Sequence, residues 1–461
     1  MKQKLQCYKL LVLGCIFLQI LGCEKDNVSE DVVSNETTEQ ESIDYVPKVK
    51  INTHGSTIID EPKINASIEI DELGTITFKG NIGIELRGAT SQSFPKKSYG
   101  FETWDANNND LNVSFLGFPE EEDWILQGPY SDKTLFRNVL MYDLSREMGR
   151  YASKTLFVEL YINNTNQGIY VLMEKLKRDK NRIAVNKLNP DENTGEGVTG
   201  GYILKIDKLA GSNLGSGYNE ANSFKSEHVS VNTSGGQDVY FLYEYPKPEY
   251  ITPEQKTYIK TYVNQFEDAL ASNAFKDTQL GYAAYIDTAS FIDFLLLNEL
   301  ANNVDAYRLS TFMSKDINGK LKMGPIWDFN LGLGNADYCN GDKTNTWAYQ
   351  FNDHCPQYGN VPFWWGRLLQ DPAFVSQLKA RWNELRGSTL SESFISSKIE
   401  GYVTLLKTSG ALDSNFQIWN VMGTYVWPNS FVGSDYNDEV NFLKQWIHER
   451  LLWMDGAIQN L

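Results

Sequence analysis

Positive charge is scarce in this chain. Its 461 residues carry 42 Lys and Arg against 59 Asp and Glu, a net charge of −17. Nucleic acid is therefore not an expected partner, because a phosphate backbone needs a basic face. Histidine is scarcer still: there are four, and none sits in a metal-like pair. The five cysteines include no CxxC spacing, which argues against a zinc site. No internal repeat is visible, which excludes a solenoid or a propeller. What is present is 41% apolar and 13% aromatic, the composition of a packed globular protein. At this length the expectation is one large two-lobed unit or two domains.

The first residues read as an export signal, expected over 1–22. Lys2, Lys4 and Lys9 precede an apolar run, Leu10 to Leu21, too short to span a bilayer as a stable helix. The run ends in Ile20-Leu21-Gly22-Cys23, which resembles a bacterial lipobox. That resemblance implies cleavage before Cys23 and lipidation of its thiol; the start behind it, Glu24-Lys25-Asp26, resembles a surface-export tag, which implies a cell-envelope protein on the outer membrane or cell surface. A plain signal peptide with an incidental Cys23 is the blander reading. Residues 23–45 carry eight acids and one lysine, the composition of a solvated tether. Losing 1–22 removes three lysines and no acid, so the charge falls from −17 to −20. Cys339 and Cys355 then remain, and an oxidising envelope favours a disulfide between them over metal ligation with His354.

From Val46 the pattern is β-rich, and a β-rich lobe is expected over 46–250. Ile82 to Arg87 alternates as a half-buried strand does, and so does Lys96 to Glu102. On the second strand Lys97, Tyr99 and Phe101 share a face and Lys96 points the other way. A helix is expected over 132–148 with Asp132 as its N-cap. A hairpin follows, Leu156–Ile162 and Gly168–Leu176, then strands at 201–207 and 239–245 around a Gly/Ser-rich insertion, 209–236. A helical lobe is expected over 251–461. Thr252-Pro253-Glu254-Gln255 reads as a capping box, and further helices start at Asp287, at Asp371-Pro372 and near Asn437. The fold class expected is α+β, with two lobes and a cleft between them.

The stretch 298–335 carries the chemistry. A buried helix ends near Asn302-Asn303 and Asp305 follows in a loop. Leu309–Lys315 and Lys320–Met323 then pair across an Asn318-Gly319 turn, and Asp328 comes just after. Protein kinases use this arrangement: one Asp meets the acceptor hydroxyl and a second holds Mg²⁺ against the nucleotide phosphates. A lysine on an earlier central strand, followed by a helix and a hairpin, also matches the kinase order. Arg87, Arg137, Arg178 and Arg182 are further cations near these elements.

The segments "RGATSQSFPKKSYGFE" at 87–102, "DWILQGPYSDKTLFRN" at 123–138 and "GIYVLMEKLKR" at 168–178 resemble the CotH kinase family of atypical protein kinases. So do "GGYILKID" at 200–207, "SFIDFLLLNELANNVDAYRLSTFMSKD" at 290–316 and "GKLKMGPIWDFNLGLGN" at 319–335. The resemblance implies a divergent kinase-like fold, ATP with Mg²⁺ or Mn²⁺, and Ser or Thr of exported proteins as acceptor. It sets Asp305 at the catalytic position, Asp328 at the metal position and Lys96 or Lys97 at the phosphates. Two positions depart from the pattern. Asn330 stands where many members have a second acid, and Ser310 stands where kinases commonly have an Asn. Both are weaker metal ligands.

Blander readings run alongside. Asp305 and Asp328 could be a helix cap and a turn acid. Glu174 could pair with a strand lysine or sit on a solvated face. Trp364-Trp365 and Trp446 with Trp453 suit a core. Gly332 and Gly334 are read as letting the backbone pass close to the phosphates. The alternative function is a catalytically weak or inactive surface protein that keeps the fold and binds a protein or glycan, using the Trp- and Tyr-rich loops of 338–365.

Overall fold

The computed structural model describes residues 44–209, 217–228 and 238–461. The expected signal peptide, Cys23, nearly all of the tether and most of the 209–236 insertion lie outside the described residues. No helix among the described residues is long and apolar enough to cross a membrane.

A closed barrel comes first. Its strands are β1 (Lys48–Asn52), β2 (Ile64–Glu72), β3 (Thr75–Arg87), β4 (Ser98–Trp104), β5 (Asp123–Gln127), β6 (Thr155–Ile162) and β7 (Thr165–Glu174). Their order is β1-β2-β3-β4-β5-β7-β6. Neighbours run antiparallel except at the seam, where β1 pairs with β6 in parallel from Lys48↔Glu159 to Ile51↔Ile162. Closure removes the sheet edges that an open sheet would expose. The β6–β7 hairpin turns at Asn163-Asn164, both at positive φ (49° and 63°), as a tight two-residue turn requires.

Period-two alternation gives these strands two different apolar faces. Trp124, Leu126, Tyr170 and Leu172 point into the barrel core. Ile125, Ile169, Val171 and Met173 point out, into a second core shared with the helices. Helix α1 (Arg137–Glu147), inserted between β5 and β6, is buried in that second core. It starts at Arg137, later than the expected 132. Asp132 still satisfies its first turn, accepting the Arg137 N–H at 2.8 Å from five residues upstream. Leu135, at φ 73°, breaks the helical path between them.

A five-stranded sheet follows, in the order β12-β11-β8-β10-β9. It is built from β8 (Tyr202–Ile206), β9 (Ser223–Lys225), β10 (Tyr240–Tyr245), β11 (Thr311–Lys315) and β12 (Lys322–Met323). Two helices, α2 (Pro253–Ala271) and α3 (Thr288–Ala301), separate β10 from β11 in sequence. Thr252 and Gln255 form the expected capping box at the start of α2, and Asp287 caps α3 through the Ser290 N–H. The remaining helices are α4 (Phe351–His354), α5 (Trp364–Leu368), α6 (Pro372–Arg386), α7 (Glu392–Thr408), α8 (Ala411–Ile418) and α9 (Tyr436–Gln459). Trp364, Trp365 and Trp446 are buried in their core. The protein is thus a mixed α+β fold, β-rich at the start and helical after, with two strands of its second sheet supplied by the helical half.

Candidate active site

Three aspartates meet at one end of the five-stranded sheet. Antiparallel pairing sets Thr311 opposite Ile206, so Asp207 leaves β8 just where the chain enters β11. The Ser310 N–H there bonds the Asp207 carboxylate. Asp305 lies in the turn between α3 and β11: its N–H is held by Asn303 Oδ1 at 3.3 Å and its carbonyl accepts Leu309 N–H at 3.0 Å. Asp328 follows β12. Helix α1 fixes its turn: Tyr142 OH accepts the Asp328 N–H at 3.1 Å and Asn138 Oδ1 accepts the Phe329 N–H at 2.7 Å. Trp327 stacks on Tyr142 with centroids 5.8 Å apart.

The backbone here is held in an uncommon region. Tyr307, Ser310 and Asp328 have φ of 67°, 48° and 62°. Non-glycine residues rarely adopt such values, and clusters of them mark sites where surrounding structure over-determines the chain.

Electrostatics tie the three acids together. Burial raises the Asp328 carboxyl to about 7, reinforced by the charges of Asp305 and Asp207 and eased by Lys208 and Arg87. Asp305 is raised by burial, with Arg308 and Lys208 opposing and Asp207 adding. Asp207 is raised by burial too, moderated by Lys205 and by the Lys208 and Ser310 N–H groups. Cations stand among them. Arg87, at the end of β3, feels Asp328, Glu244 and Asp123. Lys205 Nζ on β8 lies 3.2 Å from Glu244 of β10 and 3.9 Å from Asp207. Burial works against the Lys205 charge, but Glu244 and Asp207 outweigh it and hold its pKa up.

Other expected residues lie elsewhere. Lys96 is 1% exposed, and its ammonium donates to Ile169 O at 2.6 Å and Asn415 Oδ1 at 2.7 Å. It joins β7 to α8, and burial lowers its pKa well below that of a free lysine. Lys97 precedes β4 instead of standing within it, and donates to Gln92 O at 2.6 Å. Arg137 is buried against Asp132 at 2.6 Å. Arg178 lies over the Tyr245 ring, and Arg182 braces Lys175 O and Asp123 O. Glu174 takes neither expected form: fully buried, it accepts from Tyr151 OH at 3.1 Å and Lys154 N–H at 2.9 Å. Asn330 contributes its carbonyl to Asn335 Nδ2 at 2.7 Å. Gly334 is required by packing, since a Cβ there would meet Trp446 at 2.5 Å. Cys339 and Cys355 are disulfide-bonded, their Cα atoms 5.2 Å apart.

Lys205, Asp207, Lys208 and Glu244 escaped the sequence reading. A usable signal existed, for Lys205 and Asp207 share one face of an otherwise apolar strand, which is unusual unless that face meets a polar site.

Two competing features carry less. Glu121, Glu122 and Asp123 are the one acidic triple among the described residues with ligand atoms within 4.8 Å of each other. Lys177 Nζ already fills it, at 3.0, 2.6 and 2.8 Å from the three. A groove of about 740 Å³ along α2, lined by Asn193, Tyr258, Tyr262 and Gln265 among others, contains none of the three aspartates.

The family model of the CotH kinase protein matches residues 84–454, a span that includes Arg87, Asp207, Asp305 and Asp328. The chain belongs to the CotH kinase family. No curated relative matches it. Membership suggests an atypical kinase-like, phosphotransferase function for the chain.

Proposed function

We propose that this CotH kinase family protein transfers the γ-phosphoryl group of ATP, with Mg²⁺ or Mn²⁺, to Ser or Thr hydroxyls of exported proteins. In this reading the barrel and the five-stranded sheet with its helices act as the two lobes of a divergent kinase-like fold. The protein is held at the cell envelope by a lipid on Cys23. The observation that carries the chemistry is the convergence of Asp207, Asp305 and Asp328, all raised by burial, with Asp305 and Asp207 raising Asp328 further and Arg87 and Lys208 close by.

The donor set fits a divalent ion. Neither Asp305 nor Asp328 forms an ion pair among the described residues, unlike the Lys177-filled triple. The three carboxylates do not form a tight cage of their own, and Mg²⁺ characteristically takes one or two carboxylates plus phosphate oxygens. Asp328 and Asp207 would hold it, with the softer Asn330 and Ser310 as neighbours. The ion would offset the negative charge on the transferring phosphoryl group. Arg87 and Lys208 meet the remaining phosphate charge. Glu244 keeps Lys205 ionised beside Asp207. Asp305 orients the acceptor hydroxyl and takes its proton, a role its raised pKa suits.

A non-catalytic binder of protein or glycan is the competing reading. It draws on an exposed aromatic rim: Tyr358 and Trp427, 48% and 44% exposed, pack against Tyr338, and Tyr425, 52% exposed, bonds the neighbouring Asp337. Labelled ATP with Mg²⁺ or Mn²⁺ separates the two, run beside Asp305→Ala and Asp328→Ala. Transfer that both substitutions abolish is expected. Absence of transfer together with absence of metal-dependent nucleotide binding would overturn the kinase reading.

A further inference from the structure

The turn carrying Asp305 is gripped from outside the sheet. Arg308, three residues on, is 3% exposed. Its Nε donates back to Val304 O at 3.1 Å, and its Nη1 donates to Cys355 O at 2.8 Å. Its Nη2 also bonds Val304 O, and contacts Cys339 Sγ at 3.4 Å and Cys355 Sγ at 3.8 Å. The guanidinium lies over the Phe351 ring, 4.6 Å from its centre. One side chain thus bonds the residue before Asp305 and the disulfide that ties 339 to 355. Asp305, Tyr338 and Tyr358 are the titrating groups that bear on the Arg308 charge, and Arg308 in turn bears on His354. Lys208, Asp207, Asp328 and Tyr338 complete the set around Asp305.

A planar, five-donor guanidinium suits this task and an ammonium does not, because the fork reaches two carbonyls at fixed angles. A buried fork also needs both acceptors in place, since a lost partner leaves a desolvated donor. The acceptor at Cys355 is kept in place by the Cys339–Cys355 bond. Without it, residues 339–355 lose their covalent closure and keep only packing and the hydrogen bonds from Asn302, Glu299, Arg450 and Arg308, with more conformational freedom near Cys355.

We infer that Arg308 and the Cys339–Cys355 disulfide form a clamp that positions Asp305, so that phosphoryl transfer requires the oxidised form of the protein. The inference rests on Asp305 acting at the acceptor hydroxyl. Arg308 touches no reacting atom and is a positioning residue. Nucleotide binding is a separate matter, because Arg87, Lys205, Asp207 and Asp328 lie on other elements.

Dithiothreitol tests this directly. It delivers two electrons and two protons to the Cys339–Cys355 bond, giving two thiols and its own cyclic disulfide. The full chain is compared oxidised, reduced, as Cys339→Ser/Cys355→Ser and as Arg308→Gln. Transfer kinetics, hydrogen exchange at 303–310 and thermal unfolding are read on each. Reduction is expected to lower kcat about 10- to 100-fold, the cost of misplacing a reacting group by about 1 Å, with KM for ATP within about twofold. Amides at 303–310 are expected to exchange faster, and Arg308→Gln to reproduce both effects with the disulfide intact. Unchanged exchange at 303–310, or kcat and KM moving together, overturns the clamp. If the oxidised wild type transfers no phosphate, the catalytic reading fails, and the exchange comparison still decides the clamp. Should Arg308→Gln not fold, the double serine variant supplies the same comparison.

Discussion

At the scale of single residues, Asp328 costs the fold stability when it ionises. Its carboxyl is pushed up to about 7 in the folded protein, against an ordinary value of 3.8. Between those values the native state holds more protons than the unfolded chain, so stability falls as pH rises through that window. Three pH units correspond to about 4 kcal/mol, and partial exposure to solvent reduces this. Asp328→Asn is expected to be more stable than wild type by about 1–3 kcal/mol at pH 8 and equal to it near pH 4, read by denaturant unfolding. Added Mg²⁺ should raise the wild-type melting temperature at pH 8 and leave that of the variant unchanged. Asp305→Asn should behave differently, losing roughly 10²- to 10⁴-fold in kcat while still binding nucleotide. A variant that instead loses nucleotide affinity would place Asp305 on the phosphate side.

Elements explain why Lys96 and Lys97 read so differently in sequence and in space. Alternation starts the strand at Lys96, whereas pairing with β3 begins at Ser98↔Arg87. Two residues of slip move both lysines off the strand, and Lys96 is then drawn to Asn415, 319 positions away. Lys96→Met should cost about 1–3 kcal/mol, by removing a buried donor from Ile169 O and Asn415 Oδ1, the latter keeping only the Ile169 N–H at 3.1 Å. KM for ATP should not change; a rise of tenfold or more would return Lys96 to the phosphates. Thr252→Ala should cost about 1 kcal/mol through loss of the α2 capping box, seen as a lower denaturation midpoint without a change in slope. Such local features were legible because their causes are local: Thr252 with Gln255, Asp287 before α3, the hairpin after Ile162, Asn318-Gly319. Asp305 and Asp328 were legible through the order of elements around them. Asp207 was not, because its place depends on β8 pairing with β11 about a hundred residues later, and no short window contains that event.

For the whole molecule, the decisive fact is that β5 and β7 serve two cores at once. Trp124 and Leu172 fill the barrel, while Ile125 and Met173 fill the helical core. Neither core can lose its packing without stripping one face from the same strands. Residues 44–461 are therefore expected to melt in one calorimetric transition, and two resolved transitions would contradict the shared-strand arrangement. The family match begins at Ile84, inside β3. A chain cut there lacks β1, β2 and most of β3, leaves the barrel open, and should aggregate on expression where 44–461 stays soluble.

The barrel seam also has a mechanical meaning. Strand β1 is bonded on both sides, antiparallel to β2 from Lys48↔Asp71 to Asn52↔Ser67 and parallel to β6. A pull arriving along the chain at Lys48 and directed along β1 loads both ladders in shear. Their hydrogen bonds must then break together and cannot unzip one at a time. A pull from the N-terminal side of β1 therefore meets two ladders at once.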